Sequence, residues 1–347
     1  MDCLADWPEP IVRVQSLSDS GDTIVPSRYI KPPADRPCFE SLPCEVNIPV
    51  VDLGDPDAAS TVSKACRDWG FFQAVNHGVC RELMNSAREV WREFFHLPME
   101  TKQAYSNSPK TYEGYGSRLG IEKGAILDWG DYYYLHFSPP CLKSQAKWPA
   151  LPVFLRETVE EYGKQLTKMS ERVMELLSLG LGLDRGRLQR GFGGEEVGVC
   201  MRVNYYPTCP QPDLTLGLSS HSDPGGITVL LPDDKVKGLQ IRHGGGWVTV
   251  QPLSDSFIVN VGDQIQVLSN AIYRSVEHRV VVNSATERLS MAFFYNPRSD
   301  LLLGPMPELV SQDRPAMYQP MTFDQYRLYI RKQGPRGKSH VESLKAI

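Results

Sequence analysis

The chain has 347 residues, 41% hydrophobic and 22% charged, enough for a large buried core and sized for one large domain with an N-terminal appendage, or for two domains. Its formal net charge of -4 is carried by scattered rather than clustered basic residues, which leaves no electrostatic footprint for nucleic acid or an anionic membrane. No apolar run is long enough to cross a bilayer, the start Met1 to Pro8 lacks a secretory signal, and the eight cysteines contain no Cys-x-x-Cys pair; a monomeric, cytoplasmic protein with free thiols and a small-molecule partner is expected.

The first fifty residues are rich in proline, with Trp7-Pro8-Glu9-Pro10 and Lys31-Pro32-Pro33, and read as an extended segment laid over the protein. Ile48 to Leu53 is short, apolar and β-branched, a strand closed by the turn Asp55-Pro56-Asp57. A helix is expected over 58–69 and a second strand over 70–75, ending at Asn76-His77-Gly78. His77, a turn histidine beside glycine, is read as structural. From Arg81 to Phe95 apolar residues recur at three- and four-residue steps, so this helix buries a broad stripe. In the aromatic run 128–137, strand alternation places Tyr132 and Tyr134 on one face and Tyr133 on the other. A long helix is expected over 153–181, broken by Gly180 and Gly182.

Beyond it the pattern changes to short β-branched runs cut by Pro, Gly and Asp: 199–206, 227–231, 239–242, 247–252, 256–261, 265–268, 278–282 and 288–295. Many short strands with turn signals indicate a sandwich or barrel. The expected organisation is an extended segment 1–45, a helix-rich part 46–195, a β-core 196–300 and a C-terminal helix or lid 301–347. The fold class is α+β with a mainly β core.

Four pieces of the β-core carry chemistry. Alternation in 202–206 puts Arg202, Asn204 and Tyr206 on one face, three polar groups that need partners if buried. His221 and Asp223 are separated by one residue, so on a strand they leave the same face; His278 heads another strand that can face them. Two imidazoles and a carboxylate on one side of a divalent ion leave open positions opposite, as non-haem Fe(II) sites require. An isolated His-x-Asp is more often a hydrogen-bonded surface pair, so this motif needs its neighbours. Arg288 and Ser290 share a strand face and offer a guanidinium fork and a hydroxyl to one carboxylate, although an internal ion pair would explain the arginine alone.

Together, His221-x-Asp223, His278, Arg288-x-Ser290 and the run from Asn204 to Pro212 resemble the Fe(II)- and 2-oxoglutarate-dependent dioxygenases of plants. The resemblance extends to 48–53 and 70–78 and covers nearly the whole chain. It implies a double-stranded β-helix, or jelly roll, with flanking helices. It also implies iron on His221, Asp223 and His278, and 2-oxoglutarate on Arg288 and Ser290 with Tyr206 and Asn204 beside it. O2 is then the oxidant and ascorbate a reductant, and the reaction yields succinate and CO2 while hydroxylating a substrate. The ends of the chain, 7–17 and 337–345, most resemble the jasmonate-induced oxygenases, which hydroxylate jasmonic acid, giving 12-hydroxyjasmonic acid and inactivating a hormone.

A physical argument bears on the substrate independently. Arg288 and Ser290 account for the oxoglutarate carboxylate, yet Arg202 lies on the same strand face, and a second buried cation suggests a second anion. Thr322 to Gln325 has the form of a capping box, and Gly334-Pro335 ends the helix it begins. On that helix Phe323, Arg327 and Ile330 share a face. If it closes over the β-core, Arg202 and Arg327 clamp a substrate carboxylate, with Tyr134, Phe294 and Phe323 around its hydrocarbon part. A solvated Arg327 is the plainer alternative. Two further readings stay open: a flavonoid oxidase of the anthocyanidin synthase or flavonol synthase type, and a hormone-binding protein without turnover. A metal-dependent hydrolase is disfavoured by the Arg-x-Ser pair.

Overall fold

The computed structural model describes residues 7–37 and 47–345. Strands β1 (Val50–Asp52) and β2 (Phe71–Val75) and helices α2 (Ala58–Asp68) and α3 (Arg81–His96) form where the periodicity places them. The proline-rich segment is less uniform than expected, because it contains a helix, α1 (Val14–Asp19). Its cause is remote in sequence. The free N–H groups of Val14 and Gln15 both donate to the Asp131 carboxylate at 3.0 Å, an anion at a helix N-terminus that no local pattern reveals.

Between α2 and β2 the chain reverses at Gly70, which has φ of 64° and donates its N–H to the Ala65 carbonyl at 3.1 Å. A methyl group there would lie 2.4 Å from the Arg274 carbonyl oxygen. Gly70→Ala is therefore expected to lower stability by about 2–3 kcal/mol, through the left-handed backbone and the clash together. Thermal unfolding against wild type measures it.

Short helix α4 (Met99–Gln103) and strands β3 (Gly114–Gly116) and β4 (Asp131–Ser138) lead to the long helix α5 (Leu155–Gly180) and to α6 (Arg187–Gly191). Then come β5 (Gly198–Tyr206), β6 (Leu218–His221), β7 (Ile227–Leu231), β8 (Leu239–His243), β9 (Gly246–Thr249) and β10 (Phe257–Val261). Residues 265–268 correct the expectation of a strand: they lie in helix α7 (Asp263–Leu268), all six residues of which are buried. Six residues buried on every side show neither polar face nor full helical period, so the run mimics a strand. After α7 follow β11 (His278–Val280), β12 (Arg288–Asn296), the hairpin β13 (Leu302–Leu303) with β14 (Met321–Thr322), and helices α8 (Phe323–Gln333) and α9 (Ser339–Glu342).

The strands form an eight-stranded sheet in the order β1-β2-β10-β7-β12-β5-β4-β3 and a four-stranded sheet in the order β6-β11-β8-β9. Alternation sorts the large sheet into two faces. Val199, Met201, Val203, Tyr205, Leu289, Met291, Phe293 and Tyr295 join the side chains of α2, α3 and α5 in the main core. The intervening residues, Arg202, Asn204, Tyr206, Arg288, Ser290 and Phe294, line a space whose opposite wall is the small sheet, with His221 and His278. This is the jelly-roll arrangement with helices on one side. The five cysteines among the described residues are free, and no helix among the described residues is long and apolar enough to cross a membrane.

Candidate active site

Register builds the site. On the small sheet His278 of β11 pairs with His221 of β6, bringing the imidazoles to 4.3 Å between centroids. Asp223 is not on that strand, as β6 ends at His221 and Asp223 follows in a turn. It converges nevertheless, because the turn is docked on α7: the N–H groups of Asp263 and Gln264 donate to the carbonyls of Asp223 and Gly225 at 2.8 and 2.9 Å. Asp223 Oδ1 then stands 3.6 Å from His221 Nε2 and 3.7 Å from His278 Nε2. One donor atom from each residue lies within 4.8 Å of the others, the set a divalent ion needs.

The surrounding hydrogen bonds aim these atoms. Nδ1 of His221 lies 2.8 Å from the Ser219 carbonyl and Nδ1 of His278 lies 3.1 Å from the Val276 carbonyl. Donating there, each ring turns an Nε2 lone pair to the centre. Asp223 Oδ2 accepts from Thr228 Oγ1 at 2.6 Å and Asn260 Nδ2 at 2.8 Å, which leaves Oδ1 for the centre. Burial, then the neighbouring His278, pulls the His221 pKa down to about 4, so the imidazole is neutral and able to ligate at neutral pH. Asp223 is pushed up by burial, but the two histidines and its hydrogen bonds prevail and hold it below its ordinary value.

Beside this centre β5, β12 and β4 present a ladder of cavity-facing residues. Arg288 pairs with Tyr206, Ser290 with Asn204, Ala292 with Arg202 and Phe294 with Cys200; on the other edge of β5, Tyr134 pairs with Arg202. At the first rung the buried Arg288 donates to Ser290 Oγ at 3.2 Å and its Nε has no partner. Burial pulls this guanidinium below its ordinary pKa, the mark of a cation without its anion. Arg202 Nε is likewise buried without a partner, its guanidinium 4.2 Å above the Tyr132 ring, and Asn204 Oδ1 is also unmet.

Helix α8 covers the far rungs, begun by the expected capping box on Thr322 and Gln325. A cavity of about 220 Å³ runs from His221 and Asp223 past Arg202, Tyr134 and Phe294 to Phe323, Arg327 and Ile330. Arg327, half-buried, lines this cavity. Arg331, Cys200, Asn296 and His340 line it as well. Three of these carried a usable signal: Cys200 is two before Arg202, Asn296 two after Phe294, and Arg331 one helical turn beyond Arg327. His340, after the Gly334 break, carried none. His77 is structural as expected, accepting the Val79 N–H on Nδ1 at 3.1 Å. The arginines shape the local field: the His136 pKa falls to about 4, through burial first and then through Arg327 and Arg331.

This geometry matches known proteins. Residues 198–297 match the 2OG-Fe(II) oxygenase superfamily and residues 48–152 match the non-haem dioxygenase in morphine synthesis N-terminal family. The chain is 63% identical to Jasmonate-induced oxygenase 1 of Arabidopsis thaliana, over 97% of this chain and 87% of that protein. It belongs to the 2OG-Fe(II) oxygenases. Among solved structures this oxygenase resembles that of JOX2 in complex with 2OG, Fe and JA, with a TM-score of 0.94, 60% identity, and 99% and 100% of the two chains covered. Flavanone 3-dioxygenase 2 of Oryza sativa subsp. japonica is more distant at 41% identity, over 90% of this chain and 92% of that protein. The chain is therefore a dioxygenase of the iron and 2-oxoglutarate type, as its motifs implied.

Proposed function

We propose that this oxygenase hydroxylates jasmonic acid, with 12-hydroxyjasmonic acid the expected product. The observation that carries the reading is the pair Arg202 and Arg327, which converge on one cavity without a carboxylate partner among the described residues. A small acid with a hydrocarbon body meets both requirements of that cavity: an anion for the two arginines, and apolar contact for Tyr134, Phe294 and Phe323. Neutral or weakly acidic flavonoids leave the two cations unmet, and a protein that only binds a hormone needs no three-residue metal set.

In this reading His221, Asp223 and His278 hold iron, and Arg288 with Ser290 and Tyr206 receives the distal carboxylate of 2-oxoglutarate, with Asn204 alongside. The donor set fits the metal, and the unmet Arg288 Nε fits the acid. With iron, 2-oxoglutarate and O2 bound, oxidative decarboxylation supplies the oxidant for one C–H bond. The chain's own residues orient the ligands: Tyr206 and Arg288 fix one end, while Arg202 and Arg327 fix the substrate so that its reacting carbon faces the His-Asp-His centre. The apolar walls keep water from it. The free thiols among the described residues suit a reducing compartment such as the cytosol.

The test is Arg202→Ala with Arg327→Ala, assayed on jasmonic acid and on a flavanonol side by side, with products identified by mass spectrometry. Losing two half-buried charge partners is expected to raise the KM for jasmonic acid by about 100-fold or more, with flavanonol turnover low in both proteins. Unchanged jasmonate turnover in the double variant would sink the clamp.

A further inference from the structure

Helix α8, which brings Arg327 to the cavity, is also tied to the turn that carries Asp223. Tyr326, next to Arg327, donates its hydroxyl to Asp263 Oδ2 at 2.7 Å. The same oxygen accepts from Ser222 Oγ at 3.1 Å, and Ser222 stands between His221 and Asp223. Asp263 Oδ1 takes the Ser275 hydroxyl at 2.5 Å, three residues before His278. Through its backbone N–H, Asp263 also holds the Asp223 carbonyl. One wholly buried aspartate, through its carboxylate and its backbone N–H, therefore touches the cavity-covering helix, the metal turn twice, and the approach to the third candidate ligand.

A second tie runs parallel to the first. The Gly337 N–H donates to the Ser220 carbonyl at 2.9 Å and the Ser222 N–H to the Gly337 carbonyl at 3.3 Å. Asp223, outside any strand, has no sheet ladder of its own to fix it. Its position depends on α7 and on the segment after α8.

We propose that Tyr326, Asp263 and Ser222 form a positioning relay through which the substrate anion and the metal tighten one another's binding. When an acid engages Arg327, α8 settles, and the shared carboxylate transmits that ordering to the turn of His221 and Asp223. Such a coupling is reciprocal: metal on the turn must order α8 to the same degree. The substrate half of this inference rests on the jasmonate reading; the metal half stands without it.

The experiment is hydrogen–deuterium exchange of the full chain without iron, adding Co(II), jasmonic acid or both, with the Co(II) affinity measured by calorimetry. In wild type, Co(II) alone is expected to slow exchange in 323–333, and jasmonic acid to slow it in 217–226 and tighten Co(II) binding by about tenfold. Tyr326→Phe keeps the ring and should bind both ligands, with the linkage falling to about twofold, the part left to the Gly337 tie, and each ligand protecting mainly its own segment. Ser222→Ala cuts the other end and should do the same. Tyr295→Phe is the control: it loses a 2.9 Å bond to Gln189 that is no part of the Tyr326–Asp263–Ser222 chain and should keep the linkage.

If Tyr326→Phe retains the full Co(II)-induced protection of 323–333, the relay is overturned. If jasmonic acid protects nothing in wild type while Co(II) still orders 323–333 through Tyr326, the substrate reading fails and the relay stands.

Discussion

Replacing Asp223 with alanine is expected to abolish metal binding and to lower turnover by roughly three orders of magnitude or more, because the proposed metal set loses its one carboxylate among the described residues. Two imidazoles remain, which hold a divalent ion far more weakly than the full set. The change also strands Asn260 Nδ2 and Thr228 Oγ1, which now donate to Asp223 Oδ2. Leaving buried donors unmet costs about 1–3 kcal/mol, so a modest fall in melting temperature should accompany the loss of metal. Anaerobic Co(II) titration separates the two effects. A folded variant that binds Co(II) with wild-type affinity would show that Asp223 is not a ligand. Asp223→Glu makes a sharper probe, because it keeps the charge but moves it by one methylene against a turn fixed on α7.

Arg288→Leu is expected to raise the KM for 2-oxoglutarate by about 100-fold, since removing one partner of a buried charge-assisted contact costs about 2–5 kcal/mol. The free protein should lose little stability, because Arg288 is buried with its Nε unmet and its contacts are to the neutral hydroxyls of Ser290, at 3.2 Å, and Tyr206. The opposite signs of these effects are diagnostic: a structural arginine destabilises when removed, whereas a ligand-binding arginine without its ligand is itself a strain on the fold. Arg288→Lys should recover only part of the affinity, keeping the charge but not the two-pronged geometry. An unchanged KM for 2-oxoglutarate in Arg288→Leu refutes the assignment.

The β-core was the most legible part of the chain, and the reason is physical. Strands β5 and β12 each have one face in the apolar core and one on a polar cavity, so a period of two in hydrophobicity reports function as well as structure. Arg202, Asn204, Tyr206, Arg288, Ser290 and Phe294 all follow from it. The helix carrying Phe323 and Arg327 was legible through its capping box, a purely local signal. What escaped was set by tertiary contact. Helix α1 exists because Asp131 lies at its start, helix α7 is buried on all sides and shows no periodic face, and Asp223 reaches its place from a turn rather than a strand. His340 and the loop residue Leu119 reach the cavity from segments without a repeating pattern, so no count along the chain could have found them.

The paired strands have a consequence for substrate choice. Cavity-facing residues on β12 recur every second position, and the six-residue step from Arg288 to Phe294 spans about 20 Å at the usual strand rise. The pair therefore works as a ruler with divisions of about 6.6 Å, graduated from a carboxylate anchor at one end to an aromatic stop at the other. In the proposed reading 2-oxoglutarate takes the Arg288 end, and the rungs from Arg202 to Phe294 left to the substrate acid set the length it can have. The ruler cannot be lengthened by a single inserted residue, since that would turn every later side chain to the opposite face. Selectivity for larger acids must come instead from trimming the stop, at Phe294 or Phe323, or from shifting the helix that covers it.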